Sequence, residues 1–574
     1  MKRIKLLWNY SGKYKYALAL LPFAILVDVA LEILIPYLMS DMLDLGINRK
    51  DMSIIISKGV LMIGASVILV FVGMLESYLI ATWSSGITRN LRNALFEKVQ
   101  ELPFSDTDKY GPATILTRMS TDMNFIKKAL GMYHSMIRCP IMIACTIFMT
   151  VRVYANVSWI FIVAAVLFVV ILFFIVRVAL KHYRQMFVRY DELSNILEEA
   201  VTAERTVKAF SREQYENEKF IRKANELKEE SFAAESITVL NDPLLHMVMN
   251  ICILLIMYVG GRSIIAGNMQ AGDLFCVISY TNQILLQIYI VALIMVPVLS
   301  AQISLDRVFE IINTEPAFED MENADILPED GSVIFENVKF SYYNDETKRV
   351  LKNISIHIKS GEFVGITGSS GSGKTSLINL IPRFYECMSG TIEVGGRNIR
   401  DYSFGTLRQT IGLVPQHCVL FSGTIKENLL WGNEDASPQE IVKACCAADA
   451  NDFIMSFPDG YDTQIGQGGL TVSGGQRQRL CIARALLKRP KILIFDDSLS
   501  AVDNATEGRI INSLLKEYKD TTIVMISQRL SSIQNADKIV VLNDGEIDAV
   551  GSHEELLAKS RIYGEIYESQ RRSV

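Results

Sequence analysis

The chain has 574 residues, half of them apolar, with a formal net charge of −6. That length exceeds one domain, and the negative balance gives no support for a nucleic-acid partner. Its nine cysteines are scattered without a C-x-x-C pair, which argues against a disulfide framework or a zinc site and for small buried thiols.

The apolar excess is concentrated in the first 300 residues. Stretches of about 20 apolar residues or more, enough to cross a bilayer, lie near 17–39, 54–82, 131–152, 157–180, 244–265 and 273–298. The first is preceded by Met-Lys-Arg-Ile-Lys and by Lys13 and Lys15. No small-residue cleavage site follows it, so it reads as a retained span. Arg89, Arg92, Lys98, Lys109, Arg118, Lys127 and Lys128 crowd the connection 83–130. Lys181, Arg184, Arg189, Arg205, Lys208 and Arg212 lie in the connection 181–243. The links 40–53, 153–156 and 266–272 are short, with few basic residues. The positive-inside rule therefore puts the N-terminus, both long connections and the C-terminal half in the cytoplasm, the chain being a multi-pass protein of the cell membrane. Leu193, Ile196, Leu197 and Ala200 recur at helical spacing, so the spans are expected to run on well beyond the bilayer.

Charges within the spans need an account, among them Asp28 and Glu32, which share a helix face, Glu76 and Arg138. Each facing lipid at the bilayer centre would cost about 2.5–3.5 kcal/mol. They are expected to form either a polar, cation-attracting pathway or a structural ion pair such as Glu32 with Arg138. Residues 313–330, acidic with two prolines, read as a linker between a membrane domain over 1–312 and a soluble domain over 331–574.

In the soluble half, Val333–Tyr342, Ile354–Lys359, Glu362–Thr367, Ile411–Val414, Ile492–Asp496, Thr522–Ile526 and Lys538–Leu542 read as strands with helices between them, an α/β pattern. Gly368-Ser369-Ser370-Gly371-Ser372-Gly373-Lys374-Thr375 follows one strand and opens a helix at Ser376, matching G-x-x-x-x-G-K-[ST] throughout. Backbone N–H groups of such a loop close around phosphate oxygens. Its lysine reaches the β- and γ-phosphates, its threonine holds Mg²⁺, and the helix N-terminus adds a positive dipole end. The pattern points to a nucleoside triphosphate bound with Mg²⁺.

Further motifs follow in order: Tyr342, Gln416 in Leu-Val-Pro-Gln, Val472-Ser473-Gly474-Gly475-Gln476, Ile492-Leu-Ile-Phe-Asp496 and Ser500-Ala-Val-Asp503. With them the whole chain resembles an ATP-binding cassette half-transporter, an exporter-type six-span domain fused ahead of an α/β P-loop nucleotide-binding domain. The resemblance implies that Tyr342 stacks on adenine and that Asp496 and Gln416 hold Mg²⁺ with Thr375. It implies that Ser473, Gly474, Gly475 and Gln476 cap the γ-phosphate of an ATP held by the opposite subunit, with Asp503 in the D-loop. Residues 106–122 and 203–211 resemble the intracellular loops that dock onto the cassettes.

The chain departs from that family at three places. The family's catalytic glutamate is Asp497, shorter by one methylene, about 1.5 Å of reach. A misplacement of about 1 Å can cost roughly 10²-fold in rate. The switch histidine is Gln528, which donates a hydrogen bond but carries no charge. Gln467 stands where exporters often have glutamate. Both catalytic departures fall in one composite site, the pattern of a heterodimeric multidrug exporter with one degenerate site. The expected partner is a second, non-identical half-transporter, and the expected substrate a small lipophilic molecule. The alternatives left open are an exporter-fold importer of metal chelates, a slow homodimeric ATPase and an ATP-sensing regulatory subunit.

Overall fold

A computed structural model describes residues 7–321, 326–343, 345–469 and 471–571. The basic residues Lys2, Arg3 and Lys5, and 322–325 of the expected linker, lie outside the described residues. The chain forms two compact units. One takes the chain up to Glu101 together with Pro112–Thr314; the other takes Leu102–Gly111 together with the chain from Glu315 onward. The short segment Leu102–Gly111 thus leaves the first 312 residues and packs with the C-terminal unit.

The first unit is all helix. Its main helices are α1 (Lys15–Asp41) and α2 (Met52–Glu101). After α3 (Phe104–Tyr110), which belongs to the other unit, come α4 (Tyr133–Thr202), α5 (Glu204–Ala209), α6 (Glu213–Val239), α7 (Asn241–Ile265) and α8 (Ala271–Ile312). Among the described residues, six helical segments are long and apolar enough to span a membrane, with Phe23, Ile63, Phe71 and Leu254 among many exposed apolar side chains. An outward-facing apolar surface of this kind is at home in lipid. The link expected at 153–156 is not a loop. α4 runs 70 residues and carries both spans, broken only by the non-helical Tyr154 (φ −157°, ψ 95°). The long connections are helical, as their periodicity predicts: α2 continues to Glu101, α4 to Thr202.

The second unit is α/β. Its strands are β1 (Val333–Phe340), β2 (Leu351–Ile358), β3 (Phe363–Gly368), β4 (Ser389–Val394), β5 (Arg397–Asn398), β6 (Ile411–Val414), β7 (Gly423–Thr424), β8 (Gln464–Ile465), β9 (Ile492–Asp496), β10 (Thr522–Ile526), β11 (Lys538–Asn543) and β12 (Glu546–Gly551). One sheet has the order β2-β1-β4-β5. The larger has the order β12-β11-β3-β10-β9-β6, with β12 alone antiparallel. β9 and β10 are buried at every residue, as strands covered on both faces must be. Register then fixes the site: Ile366 of β3 pairs with Ile526 of β10, which pairs with Asp496 of β9. β9 and β10 therefore end level with one another and β3 runs two residues further, and ligands of open α/β sheets bind at that carboxyl edge.

Candidate active site

At this edge the loop after β3 leads into α9 (Lys374–Leu380). Two of its glycines are required by close approach. A Cβ on Gly368 (φ +146°) would stand 1.9 Å from the Leu542 carbonyl oxygen, and one on Gly373 (φ +93°) 2.7 Å from Leu351. Both conformations suit glycine alone. The loop curls around Lys374, whose Nζ donates to the carbonyls of Gly368 (3.0 Å) and Ser369 (2.7 Å) and lies 3.4 Å from Ser372 Oγ. Burial holds the Lys374 ammonium below the ordinary lysine range, opposed by the nearby Asp497 and Asp496. A half-buried cation over a cradle of backbone groups is a built receptor for phosphate.

Thr375, at the second helical position, donates from Oγ1 to Asp496 Oδ1 at 2.9 Å. Burial raises the Asp496 carboxyl above the usual range, with the Thr375 hydrogen bond pulling it down. A hydroxyl and a carboxylate in contact, with a carbonyl-rich loop beside them, are hard oxygen donors that fit Mg²⁺. Ser369, Ser370, Gly371, Ser372, Ser376 and Gln416 line the same cleft of about 470 Å³, as do Asp497, Gln528, Ile566 and Gln570. Gln416 is exposed.

Asp497 adopts a left-handed backbone (φ 48°), a conformation Asp tolerates better than most residues. Its Oδ2 accepts from Gln528 Nε2 at 3.0 Å. Burial raises its carboxyl, with Gln528 and Lys374 opposing. The two residues that sequence reading takes for the catalytic acid and the switch are thus bonded to each other.

Tyr342 stands beside the cleft with its hydroxyl 2.8 Å from Ser376 Oγ, edge-on to Phe340 and Tyr385. Its ring is held, and partly exposed, as a stacking platform needs. The signature segment lies elsewhere. Ser473 caps α10 (Gly474–Leu487), accepting from the Gln476 N–H, while Gln476 returns a bond to the Ser473 N–H. This capping box fixes a helix N-terminus carrying Gly474 and Gly475. None of Ser473, Gly474, Gly475 and Gln476 lines the cleft. Asp503 caps the helix α11 (Asn504–Glu517) through the Thr506 N–H. Gln467 is exposed on a short helical turn.

Two positions escape motif reading. Tyr385 donates to Asp108 Oδ2 of α3 at 2.6 Å, and Phe104 packs on Phe384 (4.7 Å), while Asp106 accepts from the Ala317 N–H. Gln570, on the C-terminal helix α12 (Arg561–Arg571), donates to the Gln528 carbonyl (2.5 Å) and accepts from the Leu530 N–H (2.9 Å). Tyr385 could have been found as the aromatic just past the P-loop helix. Nothing in the sequence marks Gln570.

Among the membrane charges, Arg138 bonds Asp28 (2.8 Å) and also Glu32, joining α1 to α4. Glu76 of α2 pairs with His134 of α4 at 2.8 Å, a partner that sequence reading missed. Asp28 and Glu76 are buried.

Comparison with known proteins agrees with both units. Residues 18–288 match the family described as ABC transporter transmembrane region, and residues 351–500 the ABC transporter family. An uncharacterized ABC transporter ATP-binding protein, YfiB, of Bacillus subtilis (strain 168) is 34% identical over 571 residues, covering 99% of this chain and 98% of that protein. The ATP-dependent lipid A-core flippase of Syntrophus aciditrophicus (strain SB) is 34% identical over 490 residues, covering 84% and 80%. The solved structure of a bacterial Atm1-family ABC exporter with ATP bound superposes with a TM-score of 0.84 at 25% identity, over 97% of this chain and 98% of that one. The cassette implies an ATPase coupled to transport, and the apolar helices a multi-pass membrane protein. A P-loop cleft at the sheet edge, its signature displaced from it, and whole-length kinship together make this chain a member of the ABC transporter family, a half-transporter with the exporter-type transmembrane fold.

Proposed function

We propose that the chain is one subunit of a heterodimeric, ATP-driven exporter of lipophilic or amphiphilic compounds, and that its own nucleotide cleft binds ATP but cleaves it slowly. The observation that carries this is the Asp497–Gln528 pair. The carboxylate is one methylene short, one of its oxygens is engaged by an amide, and the amide cannot serve as a charged switch. Binding groups are intact by contrast: the glycine cradle, Lys374, Thr375 and Asp496. Mg²⁺, held by Thr375, Asp496 and Gln416, would neutralise phosphate charge there. Phosphoryl transfer from ATP to water depends on positioning and charge stabilisation, and this cleft supplies them without a well-placed base.

The displaced signature supports a two-chain site. With Ser473 to Gln476 outside the cleft of their own chain, a second cassette is the natural recipient of the α10 N-terminus, whose two glycines leave backbone donors open to phosphate. The ATP held here acts as a standing link between subunits, and hydrolysis at the partner's site resets the cycle. Closure of the cassettes is passed through α3, docked on Phe384 and Tyr385, into α2, to which Leu102 and Pro103 join it. The membrane domain (1–312) spans the cell membrane with its N-terminus inside, and the linker (313–330) and cassette (331–574) lie in the cytoplasm. Asp28, Glu32 and Arg138 serve as a structural triad within the bundle.

The test is the ATPase rate of the purified chain assembled with itself. Slow turnover with micromolar ATP binding is expected. Rapid hydrolysis, with two equally active sites per pair, would refute the reading.

A further inference from the structure

Between α4 and α8 lies a cavity of about 750 Å³, within the roughly 300–1,000 Å³ range of small-molecule sites. Part of its wall is apolar, with Phe173 from α4 and Ile288 and Met295 from α8. Another part carries Arg177, Lys181 and Arg184. The spacing i, i+4, i+7 puts these three cations on one helix face. All three are exposed. None forms an ion pair among the described residues, whereas their neighbours His182 and Arg189 are paired with Glu230 and Glu226 of α6. Among the described residues, none that lines the cavity is acidic. No aspartate or glutamate occurs from Tyr133 to Tyr190 on α4, or from Leu274 to Leu305 on α8. Like charges four apart repel along a helix, so a threefold cationic face beside an apolar pocket lacks the anion that would balance it.

We infer that this cavity binds an amphiphile with an anionic head group, the chain lying on Phe173, Ile288 and Met295 and the head group on Arg177, Lys181 and Arg184. This deepens the exporter reading above, on which it rests for its biological sense, by naming a charge class of substrate. The intramembrane acids do not compete for that role, since Asp28 and Glu32 already hold Arg138 and Glu76 holds His134.

The test is equilibrium binding to the full-length assembled transporter in detergent, without nucleotide, using fluorescent lysophosphatidylglycerol and, as its zwitterionic match, lysophosphatidylcholine. About tenfold tighter binding of the anionic probe is expected. The preference should vanish in the Arg177→Glu, Lys181→Glu, Arg184→Glu triple variant and persist in Arg177→Lys, Arg184→Lys. If the triple variant does not fold, the wild-type chain still decides: the preference should shrink several-fold in 1 M salt, where the Debye length is about 3 Å. Equal affinity for the two probes would overturn the inference. So would a preference that survives charge reversal or high salt, or competition by glycerol phosphate as strong as by the full amphiphile. A Met295→Cys variant whose new thiol no lipophilic reagent reaches, because a second chain covers the cavity, would overturn it too. ATPase and transport are read separately. Selective binding without transport leaves the site standing and sinks only the exporter reading.

Discussion

Asp497, which the sequence resemblance puts at a catalytic-acid position, has a left-handed backbone and is bonded to Gln528. Lengthening the carboxylate and restoring the imidazole should therefore act together. Asp497→Glu with Gln528→His is expected to raise the ATPase rate of the self-assembled chain by roughly 10²-fold, and either change alone by much less. The gain is limited by placing Glu at positive φ, which costs about 1–2 kcal/mol. A steady-state ATPase assay checks it, and an unchanged double variant would mean that side-chain reach does not limit hydrolysis in this cleft. The same carboxylate makes a pH prediction. Burial raises the folded-state pKa of Asp497 above the unfolded value of about 3.9. The native chain therefore holds this proton to higher pH than the unfolded chain does. Stability from this group is full below the unfolded pKa and lost as pH rises through the raised value. Asp497→Asn keeps an acceptor for Gln528 and tolerates the same backbone. It should flatten that slope and raise the nucleotide-free melting temperature at neutral pH, read from thermal melts from the acid range to neutral pH.

Elements set these side chains in place, and not all of them announce themselves. The P-loop, β9 and β10 are legible because fixed glycine spacing and fully buried apolar runs leave one reading. β4, β5, β7, β8 and β12 were not. β5, β7 and β8 are two residues each, and β12 alternates between exposed and half-buried residues, so its apolar signal is weak. The break at Tyr154 was legible as a boundary but not as a kink within one helix, because a run of apolar residues does not say where a chain bends. Least legible is α12. Gln570 lies 42 residues from Gln528 and bonds the backbone on both sides of Arg529. Gln570→Ala removes two hydrogen bonds of about 1 kcal/mol each. The Leu530 amide should then exchange about tenfold faster or more in deuterated buffer, while ATP affinity stays within a factor of two or three. Unchanged exchange would show that α12 merely rests against the switch segment.

At the scale of the molecule, the first unit was readable as six spans because length and hydropathy suffice, yet its charges were readable only as alternatives. Pairing Arg138 with both Asp28 and Glu32 needs the packing of α1 against α4, which no single-helix pattern contains. The exposed surface of the first unit bears on assembly. Around α5, the segment resembling a cassette-docking loop, Phe210 is 74% exposed and Val201 68% exposed. Large apolar groups on a solvent-side extension, rimmed by Glu199, Arg212 and Glu216, have the make-up of an interface core and rim. If a partner cassette covers them, Phe210→Asp should leave the fold and the ATP affinity of this chain intact. It should lower transport-coupled ATPase of the assembled complex, because a buried aromatic anchor commonly carries about 2 kcal/mol or more of an interface. The complex would lose substrate stimulation before it lost subunits, since one loop contact falls away while the membrane helices still hold the pair. Stimulated and basal ATPase rates of the reconstituted complex distinguish these. A Phe210→Asp complex with undiminished stimulation would leave α5 outside the coupling path.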